Sequence, residues 1–181
     1  MKAVVFLADG FEECEGLIVV DILRRAGVET LMASVMDSLM IDSSRHIKVQ
    51  ADVMASDVDF DSTDLIVLPG GRFGTENLGA NALVVEKCRE FAANKYLAAI
   101  CAAPSLLASL GLLDGKEATC HPDFEGVMTG ATLTGESVAV DGTIITGQGL
   151  GASFDFAFEL VKTLVGEEAV AQIKSAICYR Q

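Results

Sequence analysis

Hydrophobic and polar positions divide the chain into short continuous apolar runs and longer runs with helical spacing. Lys2–Leu7 is a β-rich run that ends at the turn signal Asp9-Gly10. Ile18, Val19, Ile22, Leu23 and Ala26 then recur at the spacing of one helix face. Gly27 is its stop signal. Thr30–Val35 reads as a second strand, and Arg45–Val53 alternates loosely enough to predict short strands. Leu65–Leu68 is a third strand, apolar on both faces, that stops at Pro69-Gly70-Gly71. A helix over Ala82–Ala93, a fourth strand at Leu97–Ile100 and a helix over Ser105–Leu110 follow. Ala131–Leu133, Val138–Val140 and Thr143–Thr146 are strand candidates, the last two joined by Asp141-Gly142, a hairpin turn pair. Phe156, Ala157, Leu160, Val161 and Leu164 mark an amphipathic helix, and Glu167–Ala176 a final one.

Strands that are apolar throughout, alternating with helices, predict an α/β fold with a mostly parallel central sheet. No linker, repeat or low-complexity tract interrupts the pattern, so residues 1–181 read as one domain. Ligands of such sheets bind beyond the C-terminal strand ends. Four loops reach that edge: Asp9–Glu15, Pro69–Asn77, Cys101–Ser105 and Cys120–Phe124.

Composition narrows the partners. The 181 residues are 51% hydrophobic, enough for a proper core, and carry a net charge of −13. That balance, with no basic stripe, argues against nucleic acid and anionic membrane. The N-terminal apolar run is too short for a signal peptide and nothing resembles a membrane span, which gives a cytoplasmic expectation. Five cysteines (Cys14, Cys88, Cys101, Cys120 and Cys178) with no CxxC spacing point to free thiols rather than a disulfide framework or zinc site.

The chemistry gathers around "LAAICAAPSLLASLGLL". Here Cys101 stands where a strand hands over to a helix opened by Pro104. A junction of this kind projects its side chain outward, and the helix start offers free N–H groups and partial positive charge. Thiols in such settings ionise at pKa values of ~3.5–7.5. Small neighbours, Ala98, Ala99, Ala102 and Ala103, allow the tight bend. Cysteine is also among the most buried residue types, so the segment alone favours an inert packing role. Two other stretches shift that balance. "DGFEECEG" places Glu12, Glu13 and Glu15 at the mouth of the first helix, more acids than capping requires. A carboxyl among them that turned toward a thiolate would have its pKa raised and could donate a hydrogen bond to sulfur. "TCHPDF" puts His121, one of only two histidines, on a loop at an element end, where it suits proton transfer near neutrality.

The motifs "LADGFEECE", "VLPGGRFGTENL", "AAICAAPSLLA", "TCHP" and "GQGLGASFDFA", in that order over nearly the whole chain, resemble the ThiJ/PfpI superfamily, in the branch of the parkinsonism-associated deglycase and its YajL-like bacterial relatives. The resemblance implies a flavodoxin-like sandwich of the class I glutamine amidotransferase type, working as a homodimer without cofactor or metal. It implies that Cys101 is the reactive cysteine, that a protonated Glu15 touches its sulfur, and that His121 lies close by. Backbone amides at Gly70, Gly71 and Ala102 would line an oxyanion or anion site. The implied activities are glyoxalase III-type conversion of methylglyoxal to lactate and deglycation of early protein adducts. The alternative is a non-enzymatic redox sensor or chaperone that works through oxidation of Cys101. The partner is then a small reactive carbonyl or a glycated protein.

The chain departs from the superfamily in places. Ala102 stands where the protease-like branch has histidine, so no Cys-His protease pair is supported. Gln50 replaces a cysteine that some relatives carry near the dimer contact. Arg25 and Arg45 match arginines near that contact, and Cys14 and Cys120 are additional thiols near the site. "GQGLG", Gly147–Gly151, comes too late and lacks the following βαβ unit of a dinucleotide fingerprint, so it reads as a tight turn into a helix. "PGG" at Pro69–Gly71 lacks the lysine and hydroxyl of a phosphate loop.

Overall fold

The first strand explains the layering. In β1 (Lys2–Leu7) successive side chains point to opposite faces, and both faces are apolar. Ala3, Val5 and Leu7 enter one apolar layer with Ile22, Leu23, Phe156 and Leu160. Val4 and Phe6 enter a second with Phe60, Leu78, Phe91 and Leu107. A sheet apolar on both sides needs helices on both sides, which is the doubly wound arrangement.

The computed structural model describes residues 1–180. After β1 come α1 (Glu13–Arg25), β2 (Glu29–Ser34), β3 (Met40–Asp42), β4 (Lys48–Gln50), β5 (Val53–Met54), β6 (Leu65–Leu68), α2 (Arg72–Ala80), α3 (Ala82–Asn94), β7 (Tyr96–Ile100) and α4 (Pro104–Ser109). β8 (Glu117–Ala118), β9 (Thr132–Leu133), β10 (Val138–Asp141), β11 (Ile144–Gly147), α5 (Ser153–Leu164) and α6 (Glu167–Ala176) complete the chain. The main sheet runs β10-β11-β7-β6-β1-β2-β5. All its neighbours are parallel except the β10–β11 hairpin, which turns at Gly142 with φ +62°. α1, α5 and α6 supply one outer layer, and α2, α3 and α4 the other. This is the α/β fold with a mostly parallel sheet that the pattern predicted, in the flavodoxin-like form that the resemblance implied.

Most elements fall within a residue or two of their expected bounds, and "GQGLG" is indeed a turn: a 3-10 segment, Leu150–Ala152, leads into α5. The main difference is α2, which occupies a stretch read as loop. Its sequence, RFGTENLGA, has two glycines and no strong apolar stripe. Tertiary contact forms it. At Gly74 a Cβ would stand 2.6 Å from Phe11 Cα, so only glycine lets the helix lie against the Asp9–Glu12 loop. Asn77 Nδ2 donates to the Asp9 carbonyl at 2.8 Å, and Glu12 N–H donates to the Gly70 carbonyl at 2.9 Å. The loops after β1 and β6 are thereby locked together, which fixes the start of α1 relative to Gly71.

α5 packs its fully buried Phe156 against the same layer. Phe156→Ala is expected to lower unfolding free energy by about 3–5 kcal/mol, the range for an aromatic lost from a packed core. Urea denaturation followed by far-UV circular dichroism measures it.

A candidate active site at the Cys101 elbow

Cys101 follows β7 directly and adopts φ +66°, a left-handed conformation that a non-glycine residue takes at a cost of about 1–3 kcal/mol. Its backbone is clamped from two sides. The Cys101 N–H donates to the Gly147 carbonyl on β11 at 2.9 Å, and the His121 N–H donates to the Cys101 carbonyl at 2.9 Å. The Ala103 N–H closes the bend onto Ile100 at 3.1 Å. The half-buried sulfur accepts hydrogen bonds from the backbone amides of Gly71 and Ala102.

Glu15 lies in the first turns of α1 and is 1% exposed. Gly70 N–H donates to its Oε2 at 2.9 Å, and its carboxyl hydrogen-bonds the Cys101 thiol. Its other oxygen, Oε1, is buried and has no partner among the described residues. Burial pushes the Glu15 pKa from the ordinary 4.5 to about 7, against the opposing pull of the Cys101 and Gly70 hydrogen bonds. The Cys101 thiol is pushed up to about 12, first by burial and then by the charge and hydrogen bond of Glu15. The sequence pointed the other way, toward a thiol acidified by the helix start. α4 has only six residues, and its pull is outweighed by burial and by a carboxylate in contact. Two negative charges cannot coexist here, so sulfur and carboxyl share one. The Gly71 and Ala102 amides favour that charge on sulfur whenever Glu15 holds the proton.

Gly70 therefore differs from its expected place in an anion site. Its N–H is engaged with Glu15, and the amides near the sulfur are those of Gly71 and Ala102. Glycine is required at position 70 by contact. A Cβ would come within 2.6 Å of Glu15 Oε2 and 2.7 Å of Cys101 Cβ. Gly71 has φ +86°, which turns its amide toward the sulfur.

His121 opens a 3-10 segment, Pro122–Val127, and its Nδ1 accepts the Asp123 N–H at 3.2 Å. That bond leaves Nε2 as the protonated nitrogen. The ring faces the same cavity as the sulfur. Both border the space over Gly149, where a Cβ would lie 3.6 Å from His121 Cδ2 and 3.9 Å from Cys101 Sγ. The cavity, about 810 Å³, opens at the C-terminal sheet edge. All four loops expected there contribute, and the Ser44-Arg45 and Gln148–Ala152 segments complete the wall. Arg72, Phe73 and Phe124 also line it. All three lie inside stretches singled out in the sequence, "VLPGGRFGTENL" and "TCHPDF", but nothing there assigned their side chains to the site. Glu12 and Glu13 face Ser44 instead, whose hydroxyl donates to Glu12 Oε2 at 2.8 Å and Glu13 Oε2 at 3.2 Å. Burial works to raise the Glu13 pKa, but its hydrogen bonds and the charge of Arg45 more than offset this.

The other thiols are free. Cys88 and Cys120 are buried, with burial raising them to about 12 and about 11; Cys14 and Cys178 are exposed. Arg25 pairs with Asp21 on α1, away from the cavity. Among the described residues no group of three or more His, Cys, Asp and Glu side chains could hold a metal, and no helix is long and apolar enough to cross a membrane.

A thiol and a buried carboxyl sharing a proton at a strand-to-helix elbow define a cysteine site on an α/β sandwich. Residues 1–163 match the model of the DJ-1/PfpI family, and the chain belongs to that family. It is 33% identical over 179 residues to the protein dj-1beta of Drosophila melanogaster, covering 97% of this chain and 96% of that one. The crystal structure of Drosophila melanogaster DJ-1beta superposes with a TM-score of 0.95, at 32% identity and with 99% and 98% of the two chains covered. The protein DJ-1 homolog B of Arabidopsis thaliana is 37% identical over 99% of this chain, which spans 42% of that longer protein. The glutathione-independent glyoxalase DJR-1.2 of Caenorhabditis elegans is 28% identical, with 92% of this chain and 90% of that one covered.

Two outcomes test the site. Gly70→Ala is expected to part Glu15 from the sulfur, and the alkylation rate of Cys101 measured by mass spectrometry should then change severalfold. The raised Glu15 pKa also makes folding favour the protonated acid. Its contribution is complete below pH 4.5 and is lost as pH rises through 7, a change of about 3 kcal/mol. Glu15→Gln removes that dependence, so its stability relative to the wild type should rise between pH 5 and 8 in urea unfolding.

Proposed function

We propose that the protein is a cysteine-dependent, cofactor-free enzyme of glyoxalase III type. Its substrates are α-oxoaldehydes such as methylglyoxal and, as a deglycase, their early adducts on protein side chains. In this reading it works as a homodimer. The observation that carries the reading is the hydrogen-bonded Cys101–Glu15 pair at the floor of an open cavity. The Caenorhabditis elegans relative, named a glutathione-independent glyoxalase, supports the reaction class.

The chemistry follows from the shared proton. As pH rises through 7 the pair takes on one negative charge. The thiol proton passes to the Glu15 carboxylate as sulfur attacks the aldehyde carbon. The S–C bond forms and the carbonyl electron pair moves to oxygen, beside the amides of Gly71 and Ala102. One such donor is commonly worth about 2.7–4 kcal/mol. Glu15 passes that proton on to the oxygen, which gives a hemithioacetal and restores the carboxylate. A carboxylate at Glu15 then removes the hydrogen on the former aldehyde carbon, and an enediol forms. The proton returns to the neighbouring carbon, leaving a thioester of the hydroxy acid. The aldehyde carbon is oxidised and the ketone carbon reduced by the same electron pair, so no external oxidant is needed. Water cleaves the thioester and restores the thiol. His121, with Nε2 protonated over the cavity, orients the water or assists its proton transfer.

A redox-sensor or chaperone role would use the same sulfur, since a thiolate is what peroxide oxidises. The two separate by measurement. Cys101→Ser is expected to lower lactate formation from methylglyoxal by at least about 10²-fold, the scale of losing a covalent nucleophile. Unchanged turnover removes the enzyme reading. Rapid sulfinate formation at Cys101 in dilute peroxide, without wild-type turnover, favours the sensor.

A further inference from the structure

The cavity wall carries two arginines that the mechanism does not use. Arg72 directly follows Gly71, whose amide points at the Cys101 sulfur. Its guanidinium lies over the Phe124 ring, 5.4 Å from the centroid, and Phe124 in turn packs edge-on against His121 at 6.5 Å between centroids. Arg45 stands on another stretch of the wall, with Nη1 donating to the Ser44 carbonyl at 3.2 Å. Neither guanidinium has a carboxylate within 4.0 Å among the described residues. The chain has 26 acids against 13 lysines and arginines, so two guanidiniums outside any ion pair on one cavity are against the general trend, the charge of Arg45 acting only from a distance on Glu13. The acids of the wall are otherwise occupied. Glu12 accepts from Ser44, Asp123 faces His121 at 3.8 Å, and Glu15 is buried on the sulfur.

We propose that Arg72, aided by Arg45, makes this site select reactive carbonyls that carry an anionic group beyond the aldehyde, such as a carboxylate. The cation–π contact holds the guanidinium in place, and its planar N–H fork suits a carboxylate. Anchoring the anion at Arg72 leaves the other end of a short substrate at the sulfur, because the two are joined through Gly71. The inference rests on Cys101 acting as a nucleophile toward carbonyls and adds the substrate class. For a 2-oxoaldehyde acid the reaction balances as before: one water is added, the aldehyde carbon is oxidised and the adjacent ketone carbon reduced.

Alkylation of Cys101 tests the anion preference without relying on turnover. Iodoacetate and iodoacetamide differ by one negative charge, and mass spectrometry of the Cys101 peptide gives both rates. At low salt, the iodoacetate-to-iodoacetamide rate ratio should fall roughly fivefold in Arg72→Gln and further when Arg45→Gln is added, while Arg72→Lys keeps most of it. Added salt should shrink these differences. A parallel assay compares methylglyoxal with 4,5-dioxopentanoate, and the wild type should favour the latter in kcat/KM. An alkylation ratio unmoved by both neutralising variants, or lowered as far by Arg72→Lys, overturns the proposal. Lactate formation alongside such a ratio would leave the glyoxalase reading standing. A ratio that falls in a protein without turnover supports the anion site and removes that reading instead.

Discussion

One buried hydrogen bond, from the Cys101 thiol to the Glu15 carboxyl, sets the demands on everything around it. Bringing two groups that could each bear a negative charge into one apolar corner is unfavourable unless a proton lies between them. The chain meets that condition with backbone. The Gly70 amide holds one carboxyl oxygen, the Gly71 and Ala102 amides serve the sulfur, and among the described residues no basic side chain enters the pair. Backbone donors stabilise charge without fixing it on one atom. In the proposed reaction the charge can then pass from carboxyl to sulfur, as an acid–base step beside a nucleophile requires.

Holding such a pair takes three separate chain segments, and the fold supplies them from adjacent strands. β1, β6 and β7 end side by side, and the residues beyond them are Asp9–Glu15, Pro69–Gly71 and Cys101. The clamp on Cys101 comes from β11 and the His121 loop, so even its strained φ is imposed by neighbours on both sides. Strain of this kind persists only where surrounding structure over-determines it.

Much of this was legible in the sequence, and the limits have physical causes. The strands were visible because burial on both faces demands unbroken apolar runs, as in Leu65–Leu68. The elbow was visible because alanines and Pro104 flank a lone cysteine. Glu15 could be singled out from Glu12 and Glu13 only by resemblance, since the three crowd the start of α1, Glu12 at the N-cap and Glu13 and Glu15 in the first turn, and only tertiary packing brings Glu15 to the sulfur. α2 escaped notice because its helix is made by Gly74 against Phe11 rather than by an apolar stripe. The direction of the Cys101 pKa was misjudged for a related reason: a helix start can be read from a local pattern, whereas desolvation depends on residues far away in the chain. Arg72 and Phe124, fifty-odd positions apart, gave no joint signal at all.

The margins of the sheet carry a consequence for assembly. At one side the last strand is the two-residue β5. At the other, β10 is overlaid by the segment around β8, where Lys116 Nζ meets Asp141 Oδ1 at 3.0 Å and the Glu117 N–H meets Asp141 Oδ2 at 3.1 Å. Neither border offers a long row of vacant backbone groups onto which another molecule's strand could be stitched. In the homodimer proposed above, two copies would then meet through helices and loops, the same parts that build the rim of the cysteine cavity, and pairing and access to the sulfur would be geometrically linked.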